Sequence, residues 1–588
     1  MKTLHLICNA HLDPVWQWSW EEGAAAAVST FSAAVNLSEK YDFVFCHNEA
    51  LLYEWIKEYV PELFKKIQSL VKKGKWKIIG GWYLQPDCNL PCGEAIVRQI
   101  SVGREFFNKY FKSKPSVAVN FDSFGHSAGL PQILKKSGYN AYICSRPHEY
   151  DIPQDDFIWI GCDGSSIAVN RNSEGYNSLL GHAKEKIEGY INAFDDKKEI
   201  GIVLWGVGNH GGGPSEEDLK AIETLQKQSK VQIIHSTPEK YFENLDKSAL
   251  PEYHKSLNRC MTGCYTSQPR LKRAYRELEN NYFRAEKICA ASDMLGYMKY
   301  PRSELRTAEK DMLFSEFHDI LTGTSVEAAE KSSLCFINHG IEICERVAMR
   351  AFMSFATNLK KTENDCYPVV VLNARSEYRT DIFECEFMLK DQNWNENEIT
   401  GFDVYADDKL VKSQLIKENS NINLDWRKKL IIEAPLKPFT VNYFKAVPKL
   451  ISKSIKTRIK NDFVFENNFY KFILDGKTGL ISINSDNMEF VHNGGKIVVY
   501  KDNEDPWIMQ GECIAGFKEK INEFVLMSET EAKSYCGNTS AEPIRIIEEG
   551  EVFTEIELLF TCKNSSAVVR YRLFNRQKRI TLEVILDF

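Results

Sequence analysis

The stretch Leu4-His5-Leu6-Ile7-Cys8-Asn9-Ala10-His11-Leu12-Asp13-Pro14 decides how this chain begins to fold. Leu4–Cys8 is a short apolar run, the pattern of a strand buried on both faces. His11 and Asp13 stand two apart at its end, so both project toward one face. Similar runs recur at Phe43–Cys46, Lys77–Ile79, Val117–Phe121, Ala141–Cys144 and Ile202–Trp205. Between them, Ala50–Lys73 and Gly93–Lys109 place apolar residues near helical spacing. Strands alternating with helices predict parallel βαβ units. Residues 1–255 are therefore expected to form a barrel-like β/α domain. In such sheets ligands gather at the carboxyl ends of the strands, which is where His11 and Asp13 stand.

The texture then changes twice. Arg270–Tyr297, Leu305–Ile320 and Val326–Leu359 carry helical periodicity with few breakers. They predict a three-helix bundle over 256–362. From Pro368 on, Val369–Leu372, Lys429–Glu433, Phe469–Leu474, Lys496–Tyr500, Val552–Phe560 and Ala567–Phe574 are β-rich runs separated by turn residues. They predict an antiparallel β-sandwich over 363–588. The last run, Arg579–Phe588, stops on a strand pattern, so the sandwich is expected to be truncated.

A chain of 588 residues exceeds one hydrophobic core. With 43% apolar and 26% charged residues it has an ordinary globular composition. A net charge of −7 and the absence of a basic run with interleaved aromatics argue against nucleic acid or an anionic membrane as partner. Residues 1–10 lack an apolar core segment and a cleavage site, which argues against a secretory leader. The 16 cysteines show no paired Cys-x-x-Cys, so a cysteine zinc site is not expected. They read as apolar core residues in a reducing compartment, and the cytoplasm is the expected location.

Four short stretches carry candidate chemistry. In His11-Leu12-Asp13-Pro14-Val15-Trp16 an imidazole and a carboxylate suit a zinc ion; the plain alternative is a core histidine beside a capping aspartate. In Asn120-Phe121-Asp122-Ser123-Phe124-Gly125-His126-Ser127, Asp122 also stands at a strand end. It can bind metal, attack a substrate carbon, or cap the next helix; His126 reads as a hydrogen-bonded structural histidine. Gly206-Val207-Gly208-Asn209-His210-Gly211-Gly212-Gly213 lets backbone approach a ligand closely, or is a loop; without Gly-Lys-Ser/Thr it is no phosphate cradle. Glu316-Phe317-His318-Asp319-Ile320-Leu321-Thr322-Gly323 reads alone as a helix end whose histidine complements the dipole.

Together, His-x-Asp-x-x-Trp, then Asp-x-Phe-Gly-His-Ser, then Phe-His-Asp-Ile-x-x-Gly-Thr resemble glycoside hydrolase family 38. Gly80-Gly81-Trp82, Pro86-Asp87-Cys88-Asn89-Leu90-Pro91 and Gly263-Cys264-Tyr265-Thr266-Ser267 support the likeness. The resemblance implies a retaining exo-α-mannosidase. It implies one zinc, or another divalent ion, held by His11, Asp13, Asp122 and His318. Asp122 would also be the nucleophile. Trp16 would lie under the sugar ring, and Asp87, Arg146, Asn209 and Asp319 would line its site. A terminal α-mannoside would be the partner; the resemblance also leaves room for a homo-oligomer.

The sequence departs from the family at one chemical position. Many relatives carry an aspartate acid/base in the Gly-rich loop, where this chain has Asn209-His210. His210 is the expected acid/base by its place in the loop, its ordinary pKa near 6.5 allowing the role. The competing readings are an inactive truncated relative that binds mannosides, and a metal-dependent carbohydrate deacetylase. The second has no need of the Phe-His-Asp-Ile segment or the β-rich half.

Overall fold

The computed structural model describes residues 2–147, 152–153, 155–194, 198–208, 211–258, 260–357, 359, 365–420, 424–453, 462–501, 507 and 519–588. They divide into two compact units. The first comprises Met1–Cys289, Tyr300–Met349 and Asn503–Ala515; the second comprises Ala290–Lys299, Arg350–Asp502 and Gly516–Phe588.

The first unit holds strands β1 (Thr3–Asn9), β2 (Phe45–His47), β3 (Trp76–Ile78), β4 (Val117–Val119), β5 (Ala141–Cys144), β6 (Asp155–Ile160), β7 (Ser166–Arg171), β8 (Ile200–Trp205), β9 (Gln232–His235) and β10 (Glu252–Tyr253). One sheet runs β3-β2-β1-β8 with β9 also on β1, parallel throughout. The other runs β10-β6-β7-β5-β4, with β6 and β7 antiparallel. Ile7, Cys46, Val119, Ile143, Ala168 and Leu204 come from both sheets and share one buried cluster. Burying each such side chain is worth about 1.5–3 kcal/mol for the larger aliphatics. The α/β expectation therefore stands. β6, β7, β9 and β10 escaped the sequence reading: β6 is rich in charge at its start, and β10 has only two residues.

The helices begin with α1 (Trp20–Ser38), α2 (Ala50–Tyr59), α3 (Pro61–Lys72) and α4 (Gly93–Phe111). The predicted helix over Ala50–Lys73 is two helices. Val60, before Pro61, is forced out of the helical region (φ −136°, ψ 67°) and ends the first. α1 went unpredicted because its alanine run carries little periodic contrast. Its Gly23 packs on the loop that follows β1: a Cβ there would sit 2.1 Å from the Pro14 carbonyl oxygen. Gly23→Ala is therefore expected to destabilise the unit by about 1–3 kcal/mol, although alanine favours helix. A melting temperature at or above that of the parent chain would refute this packing.

Further on lie α5 (Leu130–Lys136), α6 (Ala183–Ala193), α7 (Glu216–Gln228) and α8 (Pro238–Asn244). Three long helices follow: α9 (Pro269–Met294), α10 (Arg302–Ser315) and α12 (Glu327–Ala356), with the short α11 (His318–Leu321) between the last two. Gly340 of α12 lets Leu278 of α9 and Asp311 of α10 close in; a Cβ there would lie 2.8 Å from Leu278 and 3.2 Å from Asp311. The expected unbroken helix Leu305–Ile320 is corrected. Phe317 is extended (φ −51°, ψ 139°) and forms an isolated β-bridge with Pro86, so the helix stops and restarts. That break aims His318.

The second unit is antiparallel. β11 (Tyr367–Asn373), β12 (Arg379–Asn393), β13 (Glu398–Ala406), β14 (Lys409–Ile416), β15 (Asp425–Leu436) and β16 (Thr440–Ser452) form one sheet in the order β11-β16-β13-β14-β15-β12. Its core includes Phe402, Val404, Leu430, Ile432 and Phe444. A second core joins Phe472, Leu474 and Ile481 to Phe560, Val569, Tyr571 and Leu573 of further antiparallel strands. In the last strand, Ile580–Asp587, Leu582, Val584 and Leu586 are exposed.

Candidate metal and carbohydrate site

The loops after the parallel strands of the first unit bring the chemistry-bearing residues together. His11 and Asp13 follow β1, Asp122 follows β4, and Arg146 follows β5. His318 opens α11, seated by three backbone contacts: the Pro86–Phe317 bridge, Asp87 N–H to the Glu316 carbonyl at 2.8 Å, and His318 N–H to the Gln85 carbonyl at 3.3 Å.

His11, Asp13 and His318 are fully buried, and their ligating atoms all lie within 4.8 Å of one another. His11 Nε2 and Asp13 Oδ1 are 2.9 Å apart, and His318 Nε2 is 3.6 Å from the same oxygen. None of these three atoms makes a hydrogen bond. At 2.9 Å the first pair is close enough for one but not aligned for it. Buried polar atoms without partners are costly and rare. Three of them converging is what a divalent cation would satisfy, and two imidazoles with a carboxylate are zinc-type donors. The electrostatics agree: burial, then the nearby Asp122, push the Asp13 carboxyl far above its ordinary range. A bound cation supplies the positive charge this carboxylate lacks. Burial lowers both His11 and His318, keeping the imidazoles neutral as ligands must be.

Asp122 stands beside this cluster, turned to other partners. Arg146 Nε donates to its Oδ1 at 2.5 Å, and the negative charge of Asp122 adds to burial in raising the Tyr176 phenol. Burial alone would raise the Asp122 carboxyl; Arg146, His11 and His318 outweigh it and hold the group below its ordinary value. It is thus kept ionised. Tyr176 was missed by the sequence reading, since nothing marks a lone tyrosine in a loop. Its ring lies 4.6 Å from that of His11 and stacks on Phe121 at 5.9 Å. Lys186 of α6 fastens its loop, donating to the carbonyls of Gly175 and Asn177 at 2.8 and 2.9 Å.

Aromatic rings line the same region. Phe124 lies 6.4 Å from His318 and 5.6 Å from Trp507, and Trp507 lies 6.2 Å from the half-buried Trp16. Trp507 also escaped the sequence reading; more than 380 residues separate it from Phe124, and no pattern spans that distance. Asp319 is buried, with Oδ2 at 3.6 Å from His318 Nε2 and Oδ1 accepting from Thr324 at 2.6 Å. Burial brings its carboxyl up to about 7.

Asp87 is tied to its own turn and to Tyr265. It is fully buried. Oδ2 accepts the Asn89 and Leu90 N–H groups at 3.2 and 2.7 Å, and Oδ1 accepts the Tyr265 hydroxyl at 2.6 Å. With both oxygens engaged, Asp87 fastens the 86–90 turn. His126 is hydrogen-bonded, as expected, to the Tyr142 hydroxyl at 2.9 Å and the Arg146 carbonyl at 3.2 Å. Asn209 and His210 lie outside the described residues.

Residues 1–259 match the glycosyl hydrolases family 38 N-terminal domain, and residues 259–354 match the alpha mannosidase middle domain. Alpha-mannosidase G of Dictyostelium discoideum is 29% identical over 369 residues, covering 60% of this chain and 34% of its own length. Human alpha-mannosidase 2C1 is 28% identical over 348 residues, 57% of this chain and 33% of its own. The chain thus spans about a third of the length of these curated relatives. In fold it is similar to an alpha-mannosidase from Enterococcus faecalis V583, with TM-score 0.67, 16% identity, and coverage of 99% of this chain and 75% of that one. Among the described residues no helix is long and apolar enough to cross a membrane.

Proposed function

Because the chain belongs to glycosyl hydrolase family 38, we propose that it hydrolyses terminal α-linked mannose with retention of configuration, in the cytoplasm, where its cysteines would stay reduced. The observation that carries this reading is the convergence of three buried, unpartnered ligand atoms beside an ionised carboxylate. His11, Asp13 and His318 would hold a zinc ion, with Asp122 as the fourth candidate ligand. When bound, the ion supplies a Lewis-acid contact that orients the sugar hydroxyls and offsets negative charge.

The rest falls to the chain's own side chains. Asp122 attacks the anomeric carbon and forms a glycosyl ester as the aglycone departs; water then cleaves the ester with net retention. Arg146 holds the carboxylate at one position before attack, so less motion is needed at the reacting centre. Trp16, Phe124 and Trp507 offer apolar rings to the face of the pyranose and exclude water. Asp319 is a hydrogen-bond partner for its hydroxyls. His210 is our candidate to protonate the leaving oxygen and later deprotonate water.

Hydrolysis of an aryl α-mannoside by the 588-residue chain, with the first-formed anomer read by NMR, tests this. α-Mannose as first product supports it; β-mannose, or turnover of an acetylated sugar in its place, overturns it. Trp507→Ala should raise KM for the mannoside about tenfold, worth about 1.4 kcal/mol, with a smaller effect on kcat. An unchanged KM would remove Trp507 from the sugar site.

A further inference from the structure

Gln85, in the loop after β3, meets both histidines of the candidate metal centre. Its carbonyl accepts from His318 Nδ1 at 2.9 Å. Its side-chain Oε1 accepts the Phe121 N–H at 2.7 Å, one residue before Asp122. Its Nε2 lies 3.1 Å from His11 Nδ1. Its own N–H donates to Glu49 Oε1 at 3.2 Å. It is fully buried, so water cannot rearrange these bonds.

The two histidines are treated oppositely. A backbone carbonyl can only accept, so His318 Nδ1 carries the proton and its Nε2, facing Asp13, keeps a free lone pair. At His11 the facing group is an amide NH2, which can only donate. It needs a lone pair on Nδ1, and that puts the ring proton on Nε2, the atom 2.9 Å from Asp13. A cation can bind Nε2 only after the proton moves to Nδ1, where it meets the Gln85 NH2. Turning the amide over does not help, because the NH2 would then meet the Phe121 N–H. Two N–H groups face one amide that holds a single acceptor.

We infer that Gln85 is a positioning residue that holds His11 in the tautomer unable to ligate through Nε2, and so weakens cation binding at this centre. The inference rests on the metal reading proposed above. A carboxylate at this position would accept from both Phe121 N–H and His11 Nδ1–H. Gln85→Glu is therefore expected to tighten zinc binding about ten- to a hundredfold. It should also move the His11 proton from Nε2 to Nδ1 in the zinc-free chain.

Two measurements test it on the full chain. Zinc affinity is read by competition with a chromophoric chelator, and the tautomer by histidine side-chain 15N shifts before zinc is added. Tighter binding together with the proton shift supports the inference. Equal or weaker binding overturns it. So does tighter binding with the His11 proton unmoved, since added charge alone would produce that. If Gln85→Glu does not fold, the parent chain still decides: a zinc-free His11 already protonated on Nδ1 overturns the inference. A parent and variant that both fold yet bind no zinc would instead sink the metal centre itself, and this inference with it.

Discussion

Asp122→Asn is expected to abolish hydrolysis of an aryl α-mannoside, lowering kcat/KM by at least about a thousandfold, while the chain keeps its fold and most of its zinc. The amide has the carboxylate's shape but no charge to attack the anomeric carbon. Its oxygen can still accept from Arg146 Nε, which now reaches Oδ1 at 2.5 Å. Zinc should persist because His11, Asp13 and His318 converge without Asp122. Retained zinc with lost turnover separates the nucleophile from a mere ligand. Turnover within tenfold of the parent would sink the role assigned to Asp122. Some stability should be lost, because the partly buried Arg146 keeps no counter-charge there. In the parent chain Asp122 lies below its ordinary carboxyl value. The stability its pairing gives is thus present above that ordinary value and fades only as pH falls through the lower, folded one.

His318→Ala is expected to have an effect of similar size for a different reason. It removes one of the three convergent donors and the hydrogen bond to the Gln85 carbonyl. Zinc measured on the purified chain should fall well below one per molecule, and turnover should drop about a thousandfold or more. Chelation of the parent chain should do the same, and added zinc should restore the parent but not the variant. Full activity in a chelated, zinc-free chain would overturn the metal reading. Activity lost with zinc retained would leave His318 a structural role only.

Comparing these residues with the sequence shows why some were legible. His11, Asp13 and Asp122 sit within four residues of strand ends, so short buried strands announced them. His318 was legible only through resemblance, since in isolation it reads as an ordinary helix terminus. The break at Phe317 that aims it comes from a β-bridge to Pro86, a partner some 230 residues away. Gln85 and Tyr176 carry no local signature at all: one is an amide, the other a lone aromatic in a loop. Asp87 shows the converse, a residue inside a recognisable motif whose oxygens the fold spends on its own turn and on Tyr265.

The sequence by itself determined the parallel α/β character of the N-terminal part, the helical stretch after it, and the antiparallel texture of the rest. Those properties follow from hydrophobic period and turn residues, which act over a few positions. It also determined which residue types were on hand for metal and sugar chemistry. Only the tertiary structure decided which of them meet. Convergence of His11, Asp13 and His318, the turning of Asp122 toward Arg146, and the bonds of Gln85 to both sides all depend on long-range packing. Donor and acceptor matching in a buried site is set by three-dimensional contact, which no local spacing encodes.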